Sequence, residues 1–297
     1  MRLPTTLTLS VVLLASSVTC AGSSPPADGP ESQPLRVASF DFVESEILAE
    51  VYAQAAERVG VTIERLGAVG PREVVIPAVR NEHVDLVPEY VGSALRFAGA
   101  TETPGDPREA ASALAERADE FGIAVLTPSA AVDQNVVVVS TDTAALLGVT
   151  AISDLAGTGL NRFGGPAECP ERPFCLVGLR ETYGLTFDEF VAQPSLAFTA
   201  EALRRGEIDV GLMFSTSPEL EAPDLVVLAD DRRLQPPENV VPIVRDEALE
   251  FWGADLRGAL DDVSAMLTTT DLRRMNGLVA DGATVRNVAR QWLAEHP

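Results

Sequence analysis

The sequence contains no lysine, so all 22 basic side chains among its 297 residues are arginines. Without lysine the chain cannot form a Schiff base with a substrate or supply the lysine of a phosphate-binding P-loop. Two histidines and three cysteines are too few for most metal cages. The sequence also lacks the Gly-x-Ser-x-Gly and His-Glu-x-x-His motifs, which argues against a hydrolase. The sequence does not exclude an enzyme that uses two carboxylates as acid and base, because the chain has 44 acidic residues.

Acidic residues outnumber basic residues two to one, and the net charge is −22 at pH 7. Such a chain repels a phosphate backbone, so we do not expect a nucleic acid partner. The sequence is 46% apolar, 22% charged and 5% aromatic. These values exclude collagen, coiled-coil and disordered classes and are typical of a globular protein long enough for two modest domains.

A short apolar run opens the chain. Residues 1–20 have the basic start, apolar centre and small-residue end of a signal peptide, and the run is too short to cross a bilayer as a helix. Residues 21–34 contain four prolines, three serines and two glycines, which predicts a flexible tether.

Cys20 stands between these two segments, as in the lipobox of bacterial lipoproteins, whose cysteine is acylated. Residues 17–20 (SVTC) are similar to that motif but lack its usual leucine and its small residue before the cysteine. Cleavage of an ordinary secretory peptide is the alternative. Both interpretations predict export.

Export to an oxidising compartment allows the other two cysteines to pair. Five residues lie between Cys169 and Cys175. A zinc site would need further ligands, and a redox pair more often has Cys-x-x-Cys spacing. We therefore predict a disulfide that staples this loop.

After the tether, β-type runs alternate with helical patterns, which predicts an α/β fold. The β-type runs are residues 35–40, 62–66, 84–87, 135–140, 208–212, 225–228 and 240–244, and the chain is predicted to be helical from residue 246 onward. The last apolar stripe is assigned to the core: Val285, Val288, Ala289, Trp292 and Leu293. Asp41 and Glu44, just before the first predicted helix, indicate a capping box.

Two segments have the same plan. Residues 78–90 and 202–214 each contain a helix end, an aspartate, a strand and an aromatic residue five positions after that aspartate. The aromatic residues are Tyr90 and Phe214, and each would lie at the carboxyl end of a strand, where open α/β sheets bind ligands. The similarity indicates two lobes of one design, with chance similarity as the alternative.

Three segments resemble the substrate-binding proteins of ABC importers for quaternary ammonium compounds such as glycine betaine, choline and carnitine. These are residues 42–50 (FVESEILAE), 85–92 (DLVPEYVG) and 164–173 (GGPAECPERP). The resemblance continues through residues 203–209, 224–231, 236–239 and the helical tail, so it covers nearly everything after the tether.

This resemblance implies an α/β, two-lobe type II periplasmic-binding-protein fold with a ligand cleft between the lobes. The chain would cross near Asp133 and Asn239, so residues 35–133 and 239–297 form lobe 1 and residues 134–238 form lobe 2. The implied function is extracytoplasmic capture of a small solute for a membrane permease, without enzymatic activity or a cofactor. We expect a monomer, anchored to the membrane by lipid.

In that family aromatic side chains hold a trimethylammonium head by cation–π attraction, worth roughly 0.5–2 kcal/mol for each ring. Four tyrosines usually form the cage. The resemblance places Tyr90, Val137, Phe214 and Glu238 at these positions, so only two of the four are aromatic.

The groups expected to hold a betaine carboxylate are also altered. Arg172 is present, Ser93 stands in place of a threonine, and the lysine expected near Phe40 is missing. Apolar walls are expected from Phe40, Tyr90 and Phe214. With Arg172 as an anion clamp and Glu238 as counter-ion, the site could therefore suit a cation with N–H donors or a zwitterion. Further polar residues are expected to line the cleft: Asp41, Asn135 and Thr216.

Each of these assignments has a structural alternative. Phe40 and Phe214 could belong to the core, and Arg172 could pair with the acidic loop around Glu168. Glu238 could be solvated. For the whole protein, the alternative is a sensory or scaffold domain that keeps the fold without tight ligand binding.

Overall fold

The computed structural model describes residues 33–296. The predicted signal peptide, Cys20 and most of the predicted tether lie outside the described residues. Within the described range, no helix combines the length and apolar character that a membrane span requires.

Strands and helices alternate along this range, which confirms the α/β class. The strands are β1 (Leu35–Phe40), β2 (Ile63–Gly70), β3 (Leu86–Tyr90), β4 (Ile123–Val125), β5 (Asn135–Ser140), β6 (Arg162–Gly165), β7 (Glu189–Ala192), β8 (Val210–Phe214), β9 (Leu225–Val227) and β10 (Val240–Arg245). The helices are α1 (Val43–Arg58), α2 (Arg72–Arg80), α3 (Val91–Phe97), α4 (Pro107–Ala118), α5 (Thr141–Leu147), α6 (Leu176–Tyr183), α7 (Leu196–Arg204), α8 (Asp246–Met266), α9 (Thr269–Ala280) and α10 (Val285–Glu295).

The strands form two five-stranded sheets with the same topology. The first sheet has the order β2-β1-β3-β10-β4, and the second has the order β7-β6-β8-β5-β9. In each sheet the first three strands are parallel, and the next strand is antiparallel to its neighbour. The repeated plan predicted from residues 78–90 and 202–214 is confirmed.

The aspartate of each repeat fixes two parallel strands to each other. Asp85 accepts hydrogen bonds from the backbone N–H and the guanidinium of Arg36, at 2.7–2.9 Å. Asp209 accepts the equivalent bonds from Arg162, with 2.9 Å to the backbone nitrogen and 2.6 Å to Nη2. Both aspartates precede their strands, so β3 and β8 begin two residues later than predicted.

Three strands were not predicted: β4, β6 and β7. β4 has three residues, and the other two have four. β6 ends in two glycines, which carry little strand propensity. A Cβ on Gly164 would lie 2.4 Å from Ile208 Cδ1, so a larger residue here would have to displace the Ile208 side chain.

The helices cover the sheets and form the cores. In the first core α1 and α10 pack against each other, and Tyr52 and Trp292 are fully buried there. The predicted stripe of α10 is confirmed, since four of its five residues are buried and Val285 packs against them. In the second core Cys169 is joined to Cys175 by the predicted disulfide, with both residues buried.

The predicted capping box of α1 is wrong. The helix begins at Val43, and its cap residue Phe42 makes no side-chain hydrogen bond to the first turn. Glu44 binds groups outside the helix, accepting from Tyr90 and Asn276. A carboxylate engaged in this way is not free to bond the backbone of its own helix.

We expect Asp209→Asn to lower the free energy of unfolding by about 1–2 kcal/mol, because it weakens charge-assisted hydrogen bonds in a partly exposed pair. Burial alone would raise the pKa of Asp209. Hydrogen bonds from the Arg162 guanidinium and from the Arg162 backbone N–H outweigh burial and lower this pKa. The loss should therefore be full at neutral pH and shrink in acid as the native aspartate becomes protonated. Urea denaturation measures both effects.

Glu181→Gln is the matched control, because Glu181 is exposed and its nearest arginine nitrogen is 3.7 Å away. Equal stability losses in the two variants would contradict the role assigned to Asp209.

Candidate ligand-binding cleft

A cleft of about 280 Å³ lies where the carboxyl ends of β3 and β8 meet the segments that connect the two sheets. Both sheets contribute to it, as expected for a site at strand ends. Its lining is Phe42, Tyr90, Ser93, Arg96, Asp133, Gln134, Asn135, Phe174, Phe214, Gln235, Pro236 and Glu238.

Four aromatic rings line this cleft: Phe42, Tyr90, Phe174 and Phe214. The Phe42 ring lies 6.2 Å from the Tyr90 ring, with 28° between their planes. Phe42 and Phe214 are each 41% exposed, a large fraction for phenylalanine, whereas Tyr90 is 5% exposed. The cleft therefore holds four aromatic residues, of which the sequence identified two.

Five of the predicted site residues line the cleft: Tyr90, Ser93, Asn135, Phe214 and Glu238. Thr216 lies beneath it, where its hydroxyl donates to Asp133 Oδ1 at 2.9 Å. Asp41 is exposed at the end of β1 and does not belong to the described lining.

Phe40 and Val137 lie in the cores rather than in the cleft. Phe40 is 2% exposed, and its ring stacks behind Phe42 at 6.0 Å. Val137 is 1% exposed because, in the middle of β5, its side chain points into the second core. In place of Phe40, it is Phe42, two residues later, that faces the cleft.

Arg172 is exposed and is not among the residues that line the described cleft. The arginine that does line it is Arg96 on α3. Its Nη2 donates to Glu238 Oε1 at 2.6 Å and to Ser93 Oγ at 3.0 Å. Its Nη1 is buried without a hydrogen-bond partner among the described residues. Arg96 lies one helical turn after Ser93, a spacing that could have identified it.

The carboxylate of Glu238 is already balanced within the protein. Besides Arg96, it accepts from the backbone N–H of Ser93 at 2.9 Å and from the Ser93 hydroxyl at 3.0 Å. This contact needs Gly92, where a Cβ would lie 2.4 Å from the backbone oxygen of Pro237. Glu238 therefore fixes the connecting segment and has no unpaired charge to offer a ligand.

Two other carboxylates lie at the cleft: Asp133 lines it, and Glu44 is bonded to Tyr90 outside the described lining. Glu44 accepts from the Tyr90 hydroxyl at 2.7 Å and from Asn276 at 2.6 Å, and Asp133 accepts from Thr216. Neither forms an ion pair with any residue that the structure describes. Burial, with the Glu44 charge, raises the pKa of Asp133 to about 7, and the hydrogen bond from Thr216 opposes this.

Tyr90 stays protonated in this setting. Burial and the negative charges of Glu44 and Asp133 raise the pKa of its hydroxyl well above 10. The ring therefore remains neutral, with its O–H donated to Glu44. A buried acidic pair beside aromatic faces is an environment that attracts a cation.

Residues 33–295 match the family model described as the substrate-binding domain of the ABC-type glycine betaine transport system. The chain belongs to this family. Members of the glycine betaine substrate-binding family are extracytoplasmic solute-binding proteins of transporters and not enzymes. They work with a small solute and membrane permease subunits, and the family gives no support to the sensory alternative.

Two relatives illustrate the family. The chain is 24% identical over 278 residues to the glycine-betaine-binding protein of Pseudomonas aeruginosa, covering 90% of this chain and 89% of that protein. It is 25% identical over 280 residues to the carnitine transport binding protein OpuCC of Listeria monocytogenes, covering 92% and 90%.

A solved structure supports the fold. The crystal structure of a glycine betaine/carnitine/choline ABC transporter protein superimposes with a TM-score of 0.81 at 21% identity, covering 88% of this chain and 98% of the other. This similarity confirms the predicted two-lobe type II periplasmic-binding-protein fold.

Asp133 should make stability depend on pH. Between about pH 4 and pH 7 the native protein keeps a proton on Asp133 that the unfolded chain releases, so the contribution of this group to stability falls as pH rises through that window. We expect Asp133→Asn to remove this fall. Calorimetry measures this as the melting temperature of the variant minus that of the parent protein. The difference should increase from pH 4 to 7 and stay constant above about pH 8.

Asp188→Asn is the control for this comparison, because Asp188 is exposed at the edge of the second sheet. Its melting temperatures should follow those of the parent protein at every pH. Parallel curves for Asp133→Asn would show that Asp133 ionises normally.

Proposed function

We propose that this protein captures a quaternary ammonium compound, or a related small cation or zwitterion of the glycine betaine, choline and carnitine class, and delivers it to the permease of an ABC importer. The observation that carries this proposal is the set of four rings (Phe42, Tyr90, Phe174 and Phe214) in a cleft that Asp133 also lines. Glu44 lies next to this lining, bonded to the Tyr90 hydroxyl, and neither carboxylate has an arginine partner among the described residues.

The rings suit a methylated ammonium head, which offers no N–H donors and is held by π-faces. The Asp133 carboxylate supplies the opposite charge, and a bound cation would favour its ionised form. Asp133 thus takes the counter-ion role that the sequence had suggested for Glu238, because Glu238 is paired with Arg96. The ring faces and the Asp133 carboxylate together compensate the free-energy cost of removing the ligand's charge from water.

For the lobes we propose the boundaries that the sequence indicated: residues 35–133 with 239–297, and residues 134–238. Two contacts between the crossing segments support them. Val132 pairs with Asn239 in an isolated bridge, and the Asn239 side chain donates to the Ser129 backbone oxygen at 2.8 Å. Capture would close the lobes about these segments, and the closed surface would be the one the permease recognises.

The protein is proposed to act as a monomer held at the outer face of the membrane by a lipid on Cys20. The lipid anchor rests on the sequence of residues 17–20, which lie outside the described residues.

We expect Phe214→Ala to weaken binding of a methylated ammonium ligand by about 2- to 30-fold, since one ring contributes roughly 0.5–2 kcal/mol. Titration calorimetry with glycine betaine, choline and carnitine measures this. The matched control is Phe198→Ala, because Phe198 is 59% exposed on α7 and does not line the described cleft. Failure of all three compounds to bind the parent protein, or equal losses in the two variants, would contradict the proposal.

The lipid anchor is tested separately. We expect Cys20→Ser to move the protein from the membrane fraction to the soluble fraction, because a single small side chain cannot replace the buried acyl chains. Mass spectrometry of the parent protein should find an acylated cysteine at the new N-terminus. An unmodified Cys20, or a start elsewhere in the tether, would favour ordinary secretory cleavage.

A further inference from the structure

Helix α9 contacts both halves of the molecule. Its residues Leu272 and Met275 are buried in the first core. A neighbouring face carries Arg273 and Asn276, whose spacing of three residues places them on the same side of the helix. This second face packs against the turn at residues 214–218, which follows β8 of the second sheet.

Two hydrogen bonds fix the turn to this face. Arg273 Nε donates to the Ser215 backbone oxygen at 2.6 Å. Asn276 Nδ2 donates to the Thr216 backbone oxygen at 3.2 Å. Both acceptors belong to buried residues, where a carbonyl oxygen without a partner is unfavourable. The two residues directly follow Phe214, so the hydrogen bonds hold the chain next to a ring of the cleft.

The helix and the turn are also closely packed. A Cβ on Gly277 would lie 3.3 Å from Pro218 Cβ, which is tighter than an ordinary contact. At the start of α9, the Thr269 hydroxyl accepts from the backbone N–H of Val132 at 3.0 Å. The Val132 backbone oxygen accepts from the Ser215 hydroxyl at 2.6 Å. The helix, the turn and a connecting segment therefore meet at one place.

The Asn276 amide nitrogen also contacts the side of the cleft that belongs to the first sheet. It donates to Glu44 Oε2 at 2.6 Å, and Glu44 in turn accepts from the Tyr90 hydroxyl. One amide group thus links the carboxylate that holds Tyr90 to the turn next to Phe214. These two rings end strands of different sheets, so their relative position depends on this link.

From these observations we infer that Arg273 and Asn276 are positioning residues for ligand capture. Together they hold the turn at residues 214–218 against the first lobe, a contact named here the α9 clasp. The clasp is a third connection between the lobes, besides the two crossing segments, and it keeps both walls of the cleft in place before a ligand arrives. This inference rests on the proposed function, because it assumes lobes that move relative to each other.

Preorganisation connects the clasp to affinity. The ligand binds tightly only when both walls of the cleft face each other, and the apparent affinity falls with the fraction of molecules in that arrangement. Removing a donor from the clasp lets the lobes sample other arrangements. Weaker binding should therefore accompany a wider range of interlobe distances, although neither Arg273 nor Asn276 belongs to the described lining.

The test compares two substitutions of one residue. Arg273→Gln keeps an amide donor at the position of Nε, whereas Arg273→Met has a similar length and no donor. The other contact of this guanidinium, with Glu221 at 4.0 Å, is half-exposed and is lost in both variants. The two variants therefore differ mainly in the hydrogen bond to the turn.

Interlobe distances are measured without ligand by double electron–electron resonance, in the purified protein carrying Cys20→Ser. The spin labels are attached after Ser112→Cys on α4 and Glu181→Cys on α6, two exposed positions in different lobes. The parent protein and Arg273→Gln should give the same narrow distribution of distances. Arg273→Met should give a broader one.

Affinity is measured by titration calorimetry with whichever of glycine betaine, choline and carnitine binds the parent protein most tightly. Arg273→Met should bind about three- to tenfold more weakly, the effect of about one hydrogen bond. Arg273→Gln should remain within about twofold of the parent protein, because it keeps the donor.

Asn276→Asp tests the other half of the clasp and provides an independent test if Arg273→Met fails to fold. It replaces the donating nitrogen by an oxygen that faces the oxygens of Glu44 and Thr216, so it should also broaden the distances. Arg290→Met is the control, because Arg290 is exposed on α10. It should leave distances and affinity unchanged.

The outcomes separate the clasp from the function on which it rests. Unchanged distances in both Arg273→Met and Asn276→Asp would overturn the clasp, and so would equal effects of Arg273→Met and Arg273→Gln. Broader distances with unchanged affinity would overturn the positioning role. If none of the three compounds binds the parent protein, the proposed function falls, and the distances measured without ligand still decide on the clasp.

Discussion

The Glu238 carboxylate holds the returning connection between the two sheets against the first turn of α3. It accepts a backbone N–H and a hydroxyl from Ser93 and pairs with Arg96. The contact is close enough to require glycine at position 92. It aligns the elements that bring Tyr90, Arg96 and Asp133 to one cleft, and it determines which nitrogen of Arg96 is left without a partner. The shape of the cleft and the charge within it both follow from this contact.

Charge is distributed unequally behind the cleft. Buried Glu89 and half-buried Arg72 neutralise each other, with 2.6 Å between Nε and Oε1, and Arg72 also lies over the Phe40 ring. Phe40 supports Phe42, which stacks on Tyr90, so this pair steadies the aromatic wall from behind. Glu44 and Asp133 have no such partner in the described chain. A buried carboxylate without a counter-ion is unfavourable, which is why a cation is the natural complement of this site.

The cleft contains four aromatic rings, as the family's cage does, but two of them come from other sequence positions. Two of the four positions carried over from the resemblance are Val137 and Glu238, yet the structure still gathers four rings. Phe42 comes from the start of α1, and Phe174 comes from the loop closed by the disulfide. Phe42 follows Asp41, which the sequence predicted in the cleft, and Phe174 precedes Cys175, which it predicted in the disulfide. Position-by-position transfer found Tyr90 and Phe214 because their strands repeat a local pattern, and it missed the other two because loops follow no such pattern.

The sequence by itself determined the α/β class, the repeated lobe plan, the disulfide and the core stripe of α10, because these follow from short-range periodicity and spacing. It also determined five of the twelve residues that line the cleft, namely Tyr90, Ser93, Asn135, Phe214 and Glu238. Only the tertiary structure decided that Arg96 and not Arg172 faces the cleft, that Phe42 replaces Phe40 there, and that Asp133 carries the unbalanced charge. Those outcomes depend on side-chain direction and on contacts between residues up to 232 positions apart, such as Glu44 and Asn276. No local pattern encodes a contact of that kind, because its free energy is set by groups that only folding brings together.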